Sequence, residues 1–156
     1  MIITRPNFDN TTNYLFKWSQ HILDFAETAK IKLVDISGKK VTKSTLESYI
    51  KKIQPSFIMI NGHGNNDYVC GHDNQILVKK DENEFLFNNS VVYARSCSSA
   101  EGLGNACALN QNTTYIGYTG DYWFMFDEDK LFHPLEDQTA KKFLDLSNYI
   151  AISLLK

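Results

Sequence analysis

The sequence predicts an α/β protein: a three-layer sandwich with a mostly parallel central sheet and helices on both faces. Two observations predict it. Short apolar runs alternate with segments whose apolar residues recur every three or four positions, the strand–helix alternation of a parallel sheet. The runs Phe57-Ile58-Met59-Ile60 and Val91-Val92-Tyr93-Ala94 also lack polar interruptions, as strands covered on both faces do.

The elements follow in order. Met1 to Thr4 is a first strand, closed by Arg5-Pro6. Asn10, Thr11 and Thr12 are good helix caps, and Leu15, Trp18, Ile22, Phe25 and Ala29 then mark one amphipathic helix. Ile31 to Ile36 is the second strand. Ser44 with Glu47 makes a capping-box pattern for a helix carrying Leu46, Tyr49, Ile50 and Ile53, stopped by Pro55. The strand Phe57 to Ile60 runs into a polar loop from Asn61 to Asp73. A small hairpin follows around Tyr68-Val69-Cys70 and Gln75 to Val78, and Phe85-Leu86-Phe87 docks as a short helical turn. The strand Val91 to Ala94 leads directly into Arg95-Ser96-Cys97. Ala100, Leu103, Ala106 and Cys107 mark a helix weakened by Gly102 and Gly104. Thr114 to Tyr118 is the last strand, residues 121–134 are aromatic and irregular, and Ala140, Phe143, Leu144, Ser147, Ile150 and Ala151 line a C-terminal helix.

Bulk properties narrow the class. The 156 residues, 43% hydrophobic and 22% charged, fit one globular domain over residues 1–156 with a real core. A net charge of -2 leaves no basic field for nucleic acid. No apolar run approaches membrane-spanning length, and the polar turn after Met-Ile-Ile-Thr-Arg-Pro leaves no signal-peptide core. Three cysteines, Cys70, Cys97 and Cys107, are an odd and irregularly spaced set. They argue for a reducing compartment over a disulfide framework, so a cytoplasmic protein is expected.

Chemistry concentrates at two strand ends. Parallel sheets place ligand sites at the carboxyl ends of their strands. Asn61-Gly62-His63-Gly64 follows one buried strand and Ser96-Cys97-Ser98-Ser99 follows the next. If these strands are neighbours, about 4.8 Å apart, the separation of 97 − 63 = 34 residues vanishes in space. A cysteine attacks as thiolate, and an imidazole beside it can take that proton or protonate a leaving amine. A helix starting just after Cys97 would favour the thiolate. The N–H groups of Gly64 and Cys97 are the natural oxyanion-hole donors.

These residues resemble a known family. Ile-Asn-Gly-His-Gly after one strand and Ala-Arg-Ser-Cys-Ser-Ser after the next are similar to the caspase-like cysteine proteases. That group includes clostripain, gingipain, legumain, separase, metacaspases and the bacterial CHAT-type proteases. The resemblance covers most of the chain and implies a caspase-like fold with flavodoxin-like strand order, His63 as general base and acid, and Cys97 as nucleophile. The specific caspase signature around the cysteine is absent. The family usually adds another strand and helix after the point where this chain ends, which implies a minimal module, a fragment, or one half of something a partner completes. Relatives in bacteria are often switched by a partner, so the resemblance implies a regulatory protein partner beside a protein or peptide substrate.

Substrate choice points to Arg95 and Asp121. Strand alternation puts Arg95 on the same face as Cys97, and in clostripain- and legumain-like relatives that position lines the specificity pocket and is usually acidic. An arginine there invites an acidic side chain. Asp121, where separase-like relatives carry an acid, invites a basic one, and if Asp121 pairs with Arg95 the pocket reads something apolar or small. The reading favoured here is a pocket shaped by Asp121.

The remaining candidates have plainer readings. Cys107 and Trp18 read as core, and His21 and His133 as structural or solvent-facing. The run Tyr122, Trp123, Phe124, Phe126 fits a substrate wall or partner surface, but packing within the loop is the default. Cys70, His72 and His63 share one loop without a standard zinc spacing, and Asp67, Asp73 and Asp81 have no spacing that specifies calcium. The dyad needs no cofactor. Two functions compete with the peptidase. An inactive caspase-like binding or signalling module would reuse the fold alone. A thiol hydrolase of amidotransferase type would place its nucleophile before its histidine, the reverse of this order.

Overall fold

The computed structural model describes residues 1–109 and 112–156. Five strands form one parallel sheet: β1 Ile2–Arg5, β2 Val34–Ser37, β3 Phe57–Asn61, β6 Val91–Arg95 and β7 Thr114–Ile116. Their order across the sheet is β2-β1-β3-β6-β7, the doubly wound, flavodoxin-like order. The short strands β4 Tyr68–Cys70 and β5 Ile76–Lys79 form a separate antiparallel hairpin after the His63 loop. The helices are α1 Asn10–Trp18, α2 Gln20–Thr28, α3 Lys43–Ile53, α4 Asn105–Leu109 and α5 Gln138–Leu154.

Period-two alternation along the strands divides the core into two layers. Ile58, Ile60, Val92 and Ala94 face Leu46 and Ile50 of α3 together with Leu103 and Cys107. Ile3, Met59 and Tyr93 face Ile22 of α2 and Ala151 of α5. A third cluster joins Tyr14, Leu15 and Trp18 of α1 to Phe124 and to Ala140 and Leu144 of α5. Helices therefore cover both faces, and β3 is buried along its whole length. The α/β sandwich with a parallel centre is the architecture expected from the sequence. Among the described residues, no helix is long and apolar enough to cross a membrane.

Four local expectations need correction. The first helix is two helices, broken at Ser19. The Ser19 hydroxyl bonds back to the Leu15 carbonyl at 2.6 Å and also accepts from Arg95 at 2.5 Å, which holds the kink where periodicity alone would run straight. The cap of α1 is Asp9, in a reciprocal capping box with Thr12, and the cap of α3 is Thr42, accepting from the Thr45 N–H. The helix after Cys97 starts only at Ala100, with one π turn, Ala100–Gly104, before α4.

Candidate active site

Three residues converge from the carboxyl ends of three adjacent strands. β1 ends at Arg5, β3 at Asn61 and β6 at Arg95. The loops that follow carry Asp9, His63 and Cys97 respectively. The chain reverses its order of winding between β1 and β3, where doubly wound sheets open their ligand crevice.

The register brings His63 and Cys97 to matching positions at the same end of the sheet. β3 and β6 pair in parallel from Phe57↔Val91 to Asn61↔Arg95, an offset of 91 − 57 = 34 residues. His63 and Cys97 are separated by the same 34 residues, so each lies two positions beyond a register-matched pair. The Gly62 N–H donates to the Arg95 carbonyl at 3.3 Å, extending the pairing past the strand ends. His63, Gly64 and Cys97 line one cleft of about 360 Å³, with Asp121 and four aromatic side chains of the following loop.

The glycines beside His63 are required by close approach. A Cβ on Gly64 would lie 2.2 Å from the Ser96 hydroxyl and 2.5 Å from the Tyr68 carbonyl. Gly62 has φ +149°, and a Cβ there would lie 2.3 Å from the Cys70 carbonyl. These contacts press the His63 loop onto the Cys97 loop on one side and the hairpin on the other. The loop pairs with the hairpin through Cys70 N–H to His63 O at 2.8 Å and Asn65 N–H to Tyr68 O at 3.0 Å. Gly64 lies between these two bonds, opposite Val69. Its own N–H, like that of Cys97, makes no hydrogen bond among the described residues. Both N–H groups are thus free to donate to a group bound in the cleft.

Asp9 is the residue that sequence reasoning missed. Its Oδ2 meets His63 Nε2 at 2.6 Å, with both side chains partly exposed. Its Oδ1 accepts from the Thr12 N–H at 2.8 Å, so one carboxylate caps α1 and orients the imidazole. Burial alone would raise the Asp9 carboxyl. The Thr12 and His63 hydrogen bonds outweigh it and hold the group below the ordinary aspartate range. With Nε2 engaged, Nδ1 is the ring nitrogen left for proton exchange. The available signal was Asp9 three residues before Thr12, a capping pattern, but its second oxygen has no sequence signature.

The three thiols differ in kind. Burial pushes the Cys70 thiol up to about 11. Burial, with a smaller push from Glu84, raises the Cys107 thiol to about 12. Both are core groups, whereas Cys97 is partly exposed at the cleft. Ser98, just beyond it, has φ +51°. Its N–H donates to the Gly120 carbonyl at 2.8 Å, and its hydroxyl to Asp121 at 3.3 Å. Asp121 is thus held against the Cys97 turn and lines the cleft.

Arg95 does not line the cleft. Strand geometry ends at Arg95 and the chain turns at Cys97, so the alternation expected to align the two side chains does not continue. The guanidinium is fully buried. It donates to Asn61 at 2.6 Å, Asn148 at 2.9 Å, Ser147 at 3.1 Å and Ser19 at 2.5 Å. No carboxylate pairs with it among the described residues, Asp121 included. Arg95 ties β6 to β3, the α1–α2 junction and α5, directly beneath the two loops of the site.

The aromatic run serves both packing and cleft. Tyr122 packs on Tyr118 at 4.6 Å between ring centres and donates to Ser147, and Phe126 stacks on Tyr14 at 5.0 Å. Among the described residues, no group of three or more His, Cys, Asp or Glu side chains is placed to hold a metal ion.

Comparison with known proteins finds no matching family model, no matching curated protein and no matching solved structure.

Proposed function

We propose that the protein is a cysteine endopeptidase of the caspase-like class, with Cys97 as nucleophile, His63 as base and acid, and Asp9 orienting the imidazole. The observation that carries this reading is the shared offset. His63 and Cys97 extend a matched strand pair by two residues each and line one cleft, while Asp9 engages Nε2 of His63.

The chemistry follows from that arrangement. The Cys97 sulfur attacks the scissile carbonyl carbon after its proton passes to His63 Nδ1. The carbonyl oxygen gains charge and is received by the N–H groups of Gly64 and Cys97. The C–N bond breaks as His63 returns the proton to the leaving amine, leaving a thioester on Cys97. Water then gives a proton to His63 and its oxygen to the acyl carbon, and the returning proton frees the thiol. Asp9 offsets the positive charge on the ring at each stage where His63 holds the extra proton. Among the described residues, the cleft presents one carboxylate, Asp121, and no lysine or arginine. With its aromatic lining, this favours a basic side chain beside the scissile bond.

The test is a diverse peptide library offered to the parent, Cys97→Ala and His63→Ala proteins, with thiol labelling in parallel. The parent cleaves and both variants lose turnover while keeping their melting behaviour. A peptide electrophile modifies Cys97 in the native protein, and Cys70 and Cys107 only after denaturation. Equal cleavage by parent and Cys97→Ala, or equal labelling of all three native thiols, refutes the peptidase and leaves an inert binding module.

A further inference from the structure

The cleft shares part of its wall with a second cavity. Asp121, Tyr122 and Trp123 line both the Cys97 cleft and a groove of about 330 Å³. The groove's other side is the outward face of α5, with Lys142, Phe143, Leu146 and Ile150.

Core packing does not account for this surface. Along the run 122–126, Tyr122, Phe124 and Phe126 pack against neighbouring aromatic rings. Trp123 stays 78% exposed and Met125 68%. On α5, Leu144 and Ala151 are buried while Leu146 is 63% exposed. Large apolar side chains left uncovered beside a reactive cleft mark a recognition surface. Charge sets its ends: Asp121 stands where groove and cleft meet. Lys142, on the α5 side, makes no ion pair among the described residues, while its neighbour Lys141 pairs with Asp145.

We propose that this α5 groove is a second substrate subsite. It holds bulky apolar residues of the polypeptide being cleaved, away from the scissile bond, with an acidic residue next to them facing Lys142. This rests on the peptidase reading above. Continuity of the lining names the occupant. A chain bound at Cys97 that leaves the cleft past Trp123 passes directly onto Phe143, Leu146 and Ile150. The preferred substrate is therefore an extended protein segment carrying an apolar–acidic stretch beside its cleavage site, and a short peptide filling the cleft alone is a poor one.

The experiment compares fluorogenic peptides that share one cleaved sequence. One is short, and others are extended on either side by apolar–acidic or by serine residues. Each is offered to the parent and to Leu146→Asp. Leu146 is exposed, and an unchanged melting temperature verifies folding. The apolar–acidic extension raises kcat/KM about tenfold or more over the serine extension in the parent, and Leu146→Asp removes that gain. Equal turnover of all extensions, or a gain that survives Leu146→Asp, overturns the subsite. If the parent cleaves nothing, the peptidase reading fails by itself. Binding of the apolar–acidic peptide to Cys97→Ala then decides the groove, read by the fluorescence of exposed Trp123 against buried Trp18. A Trp123 signal lost in the added Leu146→Asp background sustains the groove, and no signal refutes it.

Discussion

Asp9 carries two jobs on two oxygens, and a pair of substitutions separates them. Asp9→Asn keeps an acceptor for the Thr12 N–H, and asparagine caps helices about as well as aspartate. Stability should therefore change by no more than a few tenths of a kcal/mol. What it removes is the negative charge 2.6 Å from His63 Nε2. At that distance a unit charge pair in bulk water is worth about 1.6 kcal/mol. Both side chains are partly exposed, so the aqueous limit applies, and ordering the pair takes back part of the gain. About 1–1.4 kcal/mol remains, or about five- to tenfold in rate. Asp9→Ala removes the cap as well and costs about 1 kcal/mol of stability in addition. Urea denaturation measures the stability, and the rate of Cys97 alkylation by iodoacetamide at neutral pH measures the site without needing a substrate. On the peptidase reading, peptide cleavage falls in parallel. The reasoning fails if Asp9→Asn alkylates and cleaves at the parent rate, or if it loses as much stability as Asp9→Ala.

Two further perturbations test the framework around the site. Gly64→Ala places a methyl 2.2 Å from the Ser96 hydroxyl and 2.5 Å from the Tyr68 carbonyl. Overpacking of this kind costs about 1–3 kcal/mol, and Ser96→Ala should not rescue it because the backbone carbonyl remains; full rescue in the double variant would show that the loop yields. Asp137 is buried and accepts from the Ala140, Thr139 and Asp127 N–H groups and from the Tyr14 hydroxyl. Asp137→Ala should cost about 3–5 kcal/mol in denaturant titration, from a lost cap plus charge-assisted bonds. Burial would raise the Asp137 carboxyl, but these hydrogen bonds hold it below the ordinary value of about 3.8. Its stabilisation is therefore complete above that value and drains away as pH falls through the lower folded one. Asp137→Asn should flatten the acid limb of a pH–stability curve, and an unchanged limb would remove Asp137 from it.

The strand ends were legible because composition breaks there. Phe57 to Ile60 and Val91 to Ala94 are apolar without relief, and each gives way to glycine, histidine or serine and cysteine within three residues. Buried parallel strands announce themselves in this way, and with them the fold class. Partnerships across the chain were not legible. Asp9 reads locally as a turn or cap residue, and nothing in the sequence says that its other oxygen meets a side chain 54 residues later. Ser19 fits the helical pattern, and its bonds to the Leu15 carbonyl and to Arg95, which accompany the break, have no local sequence signature. Arg95 is the last residue of its strand, and strand alternation does not govern the turn that carries Cys97. Trp123 reads in sequence like its aromatic neighbours, although exposure alternates along the run, with Trp123 and Met125 uncovered between Tyr122, Phe124 and Phe126.

The neutral surroundings of the Arg95 guanidinium have a consequence for behaviour in salt. Added electrolyte weakens attractions between opposite charges, most of all at the surface. The Asp9–His63 pair is such an attraction, partly open to water. Among the described residues, the Arg95 clamp has only amide and hydroxyl partners and is sealed from solvent, so counterions find nothing there to shield. Raising ionic strength should slow Cys97 alkylation while leaving the unfolding midpoint almost where it was. The layer that fixes where the two loops stand and the layer that tunes their reactivity would thus answer to different features of the medium.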